Sequence, residues 1–497
     1  MGREEQIISE RLRKIDELRK QGKEVYPSSY DKKDNAAELQ EKHKKLGKGK
    51  KTKKGVKIAG RVMVIRDIGK IIFINLLDGT GKIQIILQES ETPEKEIKFF
   101  KKFIDSGDFV GVEGTILRTE RGELSVVAKK LDLLSKAVLP LPEKWHGLQD
   151  EEERYRKRYL DLVMNPELKE IFIKKAKFWK TVRDFLNERG FIEVETPVLE
   201  NTTGGADARP FVTHHNALDI DVYLRISMGE LWQKRLMIAG FEKTFELGRQ
   251  FRNEGTSAEH LQDYSQMEFY WAYADYEQAM NLVEELYRKV AKEVLGSLKF
   301  KTHGFEVDLG KTWERINYAA EIKKQTGIDI WKANEGELIK KLKELKQDFE
   351  VGASKWRLVD ALWKYCRKNI TGPAFVVNVP VDISPLAKRN PRNLEVVERF
   401  WVVFAGSELG NGYSELNDPV DQEMRFNKQQ ELREKGDEEA QMKDVEFIEA
   451  LKYGMPPTAG FGMSERVFAF LVDKPVRECV LFPLLKPIEN KKKNKHG

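Results

Sequence analysis

Cysteine is nearly absent from this chain. Cys366 and Cys479 are the two in 497 residues, and they stand far apart. That excludes a disulfide framework and a cysteine-built zinc site. Seven histidines, including the adjacent His214-His215, show no metal-ligand spacing. No apolar run approaches the roughly 20 residues that cross a bilayer. The opening MGREEQIISERLRK has no apolar segment of the secretory kind. These absences lead us to expect a cytoplasmic protein with no membrane partner. A large excess of one charge is also missing: 87 Lys and Arg face 81 Asp and Glu, a formal net of +6. There are no internal repeats and no Walker-type or Rossmann glycine loop, so a bound nucleotide would be held without such a cradle.

What is present is length and charge. At 497 residues, 40% hydrophobic and 34% charged, the chain is too long for one core and suggests about two to four domains. Lysine clusters between Lys42 and Lys57 and again from Lys491 to Lys495. Such runs are usually solvated segments, though they can also meet phosphate. Residues 4 to 21 have helical spacing at Ile8, Leu12, Ile15 and Leu18, and a short helix follows from Asn35. We expect residues 1–55 to be a helical segment with a basic linker. Residues 56–137 supply about five alternating strands separated by Asp-Gly and Gly-Thr-Gly turns, the pattern of a small barrel of the oligonucleotide-binding kind. LPLPEKWHGLQ falls in an expected linker and hinge, 138–160. A larger domain is expected over 161–490, with a lysine-rich helical insertion at about 320–372 that holds no site-like residues. A disordered basic tail is expected over 491–497.

The stretch Phe245 to Asp275 reads as two strands joined by a polar loop. Phe245, Leu247 and Phe251 share one face of the first arm, and Met267, Phe269 and Trp271 alternate with Gln266, Glu268 and Tyr270 in the second. The commoner meaning of such a pattern is a half-buried hairpin with a charged outer face. Phe251-Arg-Asn-Glu-Gly255, preceded by Gly248-Arg249, resembles motif 2 of the class II aminoacyl-tRNA synthetases, and MEFYWAYADY resembles the version in their lysyl branch. The helix at 167–189 followed by FIEVETPVL is similar to motif 1, which implies a homodimer. Gly460-Phe-Gly-Met-Ser-Glu-Arg466 is similar to motif 3. GRVMVIRDIGKIIFINLLDGTGKIQ is similar to the anticodon-binding barrel of lysyl- and aspartyl-type enzymes.

The resemblance, running from about Arg11 to Pro487, implies an α+β chain: an N-terminal OB-fold β-barrel, then an antiparallel-sheet catalytic domain flanked by helices. It implies ATP as substrate, Mg2+, L-lysine and tRNA(Lys). The expected reaction forms lysyl-adenylate and passes lysine to the 3′ end of the tRNA. The transition state at the α-phosphate is rich in negative charge and needs fixed cations. Arg252 and Arg466 fit that need, and with Glu254 they carry over as the catalytic set. His260, Tyr264 and Glu408 join them around ATP, with Glu408 also the expected metal ligand. Trp401 stands where the family has a second carboxylate, and Glu259 where many bacterial relatives have an arginine. We therefore expect fewer tightly held cations than in those relatives. The motif 3 glycines are expected to let the nucleotide base approach the backbone.

An enzyme for lysine needs carboxylates in its side-chain pocket, because an unpaired buried ammonium is costly. The resemblance assigns Gly205, Glu230, Glu268, Tyr270, Asn411, Tyr413 and Glu415, a set with no Lys or Arg. Ser227-x-x-Glu230 equally has the spacing of a helix capping box. In the barrel, Arg66, Phe73, Gln84 and Glu123 match anticodon contacts. From pattern alone Phe73 is either a stacking platform or ordinary core, and core is the commoner fate. Rival readings are an aspartyl or asparaginyl enzyme, a truncated paralogue that lysylates protein, and a non-catalytic RNA-binding paralogue.

Overall fold

The computed structural model describes residues 2–488 except 143–147, 149, 207, 256–258, 351 and 436–439. The expected tail lies outside the described residues, as does part of the expected linker. The chain divides into two compact units, 1–154 and 155–497.

In the first unit, five strands close into a barrel: Lys51–Asp67, Ile71–Leu77, Lys82–Gln88, Phe109–Arg118 and Leu124–Ser135. Its core follows from alternation. Ile58, Val62, Ile72, Ile74, Ile85, Val110, Val112 and Val126 are buried, while every second neighbour faces outward. Helix Arg3–Lys20 docks on the barrel through Ile15 and Leu18, and Arg11 donates to the backbone oxygens of Ser106, Ala137 and Leu139. The first strand begins at Lys51, inside the stretch expected as basic linker. Lysine carries no strand signal of its own, and pairing to the strand at Phe109–Arg118 supplies it.

The second unit is built on a nine-stranded sheet. Along it run Glu314–Asn317, Ala374–Pro380, Asn393–Phe404, Ser407–Ser414, Thr458–Ser464, Asp263–Ala272, Lys243–Phe251 and Ile192–Glu193, with Arg389–Asn390 paired beside the third. The central pairs are antiparallel, and only the two outermost are parallel. FIEVETPVL, expected as one strand, supplies Ile192–Glu193 to this sheet and begins a second short strand, Leu199–Glu200, in a separate three-stranded sheet. Helix Tyr276–Leu295 covers one face. Asp275 caps it by accepting from Gln278 N at 2.9 Å, and Gly296, at φ +74, ends it. Its stripe of Met280, Val283, Leu286, Tyr287 and Val290 packs into a core with Phe245, Phe269, Phe400 and Phe461. Each such buried side chain contributes about 1.5–3 kcal/mol. Phe400 and Phe461 stack with centroids 5.8 Å apart. A second core, around Tyr318, Trp363, Trp401 and Phe447, includes the last helix of the lysine-rich segment, Lys355–Arg367.

Candidate active site

The expected hairpin forms, with Lys243–Phe251 antiparallel to Asp263–Ala272 and Phe245 opposite Phe269, Leu247 opposite Met267, and Glu246 opposite Glu268. Both of its faces are buried. Phe245, Met267 and Phe269 fill the core, while Glu246, Gln250, Glu268 and Tyr270 are buried on the other side. An ordinary hairpin with a solvated outer face is thereby excluded. The polar side forms a wall of a cavity of about 670 Å³. All the residues expected around lysine and ATP reach this one cavity: Gly205, Glu230, Arg252, Glu254, His260, Tyr264, Glu268, Tyr270, Glu408, Asn411, Tyr413, Glu415 and Arg466.

At one end three carboxyl groups converge. Glu268 accepts from Met228 N at 3.0 Å, Gln266 Nε2 at 2.6 Å and Tyr270 Oη at 3.1 Å. Glu230 accepts from Tyr413 Oη and, at 2.7 Å, from Lys234 Nζ. Glu415 Oε2 lies 2.5 Å from Lys234 Nζ. Helix Glu230–Ile238 is capped by Gly229 at φ +66, and Ser227 Oγ donates to Gly204 O, so the capping-box reading of Glu230 fails. Burial, aided by Glu230, raises Glu268 to about 7. Burial also lifts Glu415 well above the carboxylate range despite Lys234 beside it. Burial opposes the charge on Lys234, but Glu230 and Glu415 outweigh it and raise its pKa.

Glycines frame this end. Gly205 is at φ +87, and a Cβ there would lie 2.6 Å from Ser227 Oγ and 2.8 Å from Glu230 Cβ. A Cβ at Gly460 would fall 2.2 Å from Glu415 Oε1 and 2.7 Å from Tyr270 Cε1, and one at Gly462 would come 3.0 Å from Glu268 Cγ. We expected these motif 3 glycines to admit the nucleotide base. They first admit the side chains of the protein's own pocket, which lie across the bare strand.

At the other end Arg252 donates to Ile226 O at 3.3 Å, and its guanidinium lies 5.8 Å from the Tyr264 ring centroid. Tyr264 Oη accepts from Gln250 Nε2. Arg466, at the start of helix Arg466–Leu471, reaches Ser407 Oγ at 2.7 Å and Glu259 Oε2 at 2.5 Å. Burial works against the Glu259 charge, yet Arg466 outweighs it and holds the carboxyl below its usual value. Partial burial and the Arg466 charge push His260 down.

The donor set does not fit a resident Mg2+. Such an ion takes oxygen ligands in near-octahedral array. Glu408 Oε1 instead accepts from Trp363 Nε1 at 2.6 Å, and Arg367 Nε stands 3.8 Å away. Trp401 stacks on Trp363 with centroids 5.8 Å apart. Among the described residues no group of three His, Cys, Asp or Glu could hold a metal ion.

On the barrel, Arg66 is opposite Phe73, and Phe73 is opposite Ile86, two residues from Gln84 on the same face. Gln84 pairs with Ser125, two residues after Glu123. Cross-strand partners point the same way, so Arg66, Phe73 and Gln84 share a face, and Glu123 stands just before the strand Leu124–Ser135 that continues it. Phe73 is half-buried between the fully buried Ile72 and Ile74, which places it outside the barrel core.

Two groups of cavity residues, and one lysine buried behind the cavity wall, were not foreseen. Lys234 reads in sequence as one half of a Glu-x-x-x-Lys pair, ordinarily a solvated one. Arg399 contradicts the expectation of a pocket set without cations: it lines the cavity and donates to Asn411 Oδ1 at 2.9 Å. Trp356, Arg357, Asp360 and Lys364 bring the lysine-rich insertion, expected to hold no site-like residues, onto the cavity wall. Lys234, Arg357, Asp360 and Lys364 are helix residues, and only tertiary packing distinguishes their covered face from a solvated one, whereas Arg399 stands on strand Asn393–Phe404.

Comparison with known proteins agrees along the whole length. Residues 150–486 match the family described as tRNA synthetases class II (D, K and N), and residues 56–134 match the OB-fold nucleic acid binding domain. The chain is 45% identical over 481 residues to the lysine–tRNA ligase of Thermotoga maritima, covering 96% of this chain and 95% of that protein. It is 43% identical over 486 residues to that of Carboxydothermus hydrogenoformans, covering 97% and 98%. To that of Nostoc punctiforme it is 42% identical over 499 residues, covering 97% and 88%. A barrel and a catalytic sheet, each matched by its own family, together with this identity along nearly the whole chain, mean that the chain belongs to the lysine–tRNA ligases of the class II tRNA synthetases.

Proposed function

We propose that this chain activates L-lysine with ATP and transfers it to the 3′ end of tRNA(Lys). The observation that carries the choice of amino acid is the convergence of Glu230, Glu268 and Glu415 at one end of the cavity. An ammonium side chain satisfies that end, whereas the side chain of aspartate would meet like charge and that of asparagine would leave carboxylates unpaired. Arg252 and Arg466 line the same cavity. A carboxylate oxygen of lysine attacks the α-phosphorus, the bond to the β-phosphate oxygen breaks, and pyrophosphate leaves. The two guanidiniums would face the negative charge on the α-phosphate and on the departing oxygens, where fixed cations act most strongly. The terminal ribose hydroxyl of the tRNA then attacks the carbonyl carbon and AMP leaves. Mg2+ belongs, in this reading, to the incoming nucleotide.

The shared face of Arg66, Phe73 and Gln84 supports single-stranded RNA as the ligand of the barrel. Ile173, Ile192, Val198, Leu199, Val212, Leu218 and Ile220 are large apolar side chains left exposed around the motif 1 region, which supports a homodimer. Among the described residues no helix is long and apolar enough to cross a membrane, and we place the enzyme in the cytoplasm. The test is exchange of pyrophosphate into ATP with lysine, aspartate and asparagine run side by side. Signal with lysine alone is the expected result. Signal with another amino acid would overturn the pocket assignment, and silence with all three would favour an inert RNA-binding relative.

A further inference from the structure

The pocket proposed for a lysine side chain contains a lysine of its own. Lys234 follows Glu230 by one helical turn and is 1% exposed. Its Nζ lies 2.7 Å from Glu230 Oε1 and 2.5 Å from Glu415 Oε2, with the Tyr413 and Phe447 ring centroids 5.5 Å and 5.9 Å away. The carboxyl groups line the cavity and Lys234 does not, so its ammonium holds them from behind. Both oxygens of the Glu415 carboxyl are buried without a hydrogen-bond partner, Oε2 meeting Lys234 as an ion pair and Oε1 meeting no cation. We propose that Lys234 is a positioning residue for substrate recognition, a permanent internal cation that clamps Glu230 and Glu415 and balances one of the three carboxyl charges that face the substrate ammonium. This deepens the reading of the cavity as a lysine site and rests on it.

Without a resident cation, three carboxyl groups in a dry pocket would take up protons rather than stay ionised. An arriving ammonium would then have to expel those protons before it could pair. With Lys234 in place one of the three negative charges is balanced permanently and the substrate ammonium balances a second, so fewer protons have to leave as lysine binds, Glu268 still giving one up. The titratable groups that face the cluster are Glu268 and Tyr270 from the hairpin, Tyr413 and Glu415 from the neighbouring strand and its end, Glu230 from the same helix, and Arg399 across from Tyr413. None of the others is a cation that could replace Lys234 beside Glu415. The geometry also explains why the ammonium must be fixed. Glu230 Oε1 takes both Lys234 and Tyr413 Oη, which locks the rotamer of the carboxyl.

The experiment uses the full-length chain with Lys234→Met and Lys234→Arg, measuring KM for lysine and for ATP separately in pyrophosphate exchange. Arginine keeps the charge but brings a wider planar fork, which displaces both carboxyls. The expected result for Lys234→Arg, in a variant that remains folded, is a rise of at least tenfold in lysine KM, with ATP KM within twofold of wild type. Lys234→Met, where it folds, should show the same split with a larger rise. A lysine KM within twofold of wild type in folded Lys234→Arg would overturn the proposal. So would a parallel rise in both KM values, the mark of a general structural role. If the wild-type chain itself shows no exchange with lysine, the reading of the site falls, and this inference falls with it for that separate reason.

Discussion

The carboxyl of Glu268 makes lysine binding a function of pH. In the empty pocket burial and Glu230 raise Glu268 to about 7, so near neutrality it is half protonated. A bound ammonium favours the ionised form, so it must draw off that proton, and affinity rises with pH. For one such group, apparent KM scales as one plus the ratio of protonated to ionised carboxyl. With a pKa of about 7, that factor is about 11 at pH 6, about 2 at pH 7 and about 1 at pH 8. Lysine KM should therefore fall about tenfold from pH 6 to pH 8 at saturating ATP. The substrate's own side-chain ammonium, with a pKa of about 10.4, stays charged throughout. Calorimetry in two buffers of different ionisation enthalpy should find protons released as lysine binds at pH 7. The stability sign agrees: a carboxyl raised in the folded state favours folding while protonated, and this contribution is lost as pH rises from about 4.5 towards 7. Lysine should accordingly raise the melting temperature more at pH 8 than at pH 6. Glu268→Gln should weaken binding at every pH and flatten the profile. A flat wild-type profile, or a KM that rises with pH, would refute the reasoning.

Arg252→Ala should lower adenylate formation by at least 10²-fold, the scale of losing one preorganised charge donor, while a filter-binding assay finds tRNA affinity unchanged; normal exchange would remove Arg252 from the catalytic set. Phe73→Ala should do the reverse, weakening binding of an anticodon stem-loop by about 1–3 kcal/mol with exchange intact, and unchanged affinity would show that Phe73 does not stack on RNA. Glu246→Ala strands the buried Arg225, whose Nη1 lies 2.5 Å from Glu246 Oε1; urea unfolding should find a loss of about 3–5 kcal/mol, and a loss below about 1 kcal/mol would contradict that pairing. Glu259→Gln should release Arg466 for the nucleotide. The pair is partly exposed, so a gain of about 1 kcal/mol, or about fivefold in ATP KM, is expected, and a higher ATP KM would reverse the role given to Glu259.

The elements that were legible in the sequence are those whose signal is local. The hairpin shows in the alternation of Phe245, Leu247, Met267 and Phe269, and the structure pairs the arms along that pattern. The barrel shows in its strand periodicity and turns. The family resemblance located Glu415 and Arg466, which the fold then brings to one cavity although 51 positions separate them in sequence. What was not legible depends on which polar face a neighbour covers. Lys234 and Arg357 carry the same letters as solvated helix residues, and nothing within one turn of either reports that a sheet lies beyond. Ser227-x-x-Glu230 shows the opposite failure, a local signature overridden because Gly229 caps the helix and the carboxylate has better partners in Lys234 and Tyr413.

Gly460 and Gly462 have a consequence for anyone wishing to redirect the enzyme to another amino acid. Side chains of Glu415, Tyr270 and Glu268 rest where a methyl group on that strand would have to go. The floor of the pocket is thus closed to a designer, since even alanine at Gly460 collides with two walls at once. New specificity has to be cut from the walls at Tyr270, Tyr413 and Glu268, because Glu230 and Glu415 are needed to pair the buried Lys234. A library built on those positions, with the glycine strand left untouched, would sample altered pockets rather than misfolded ones.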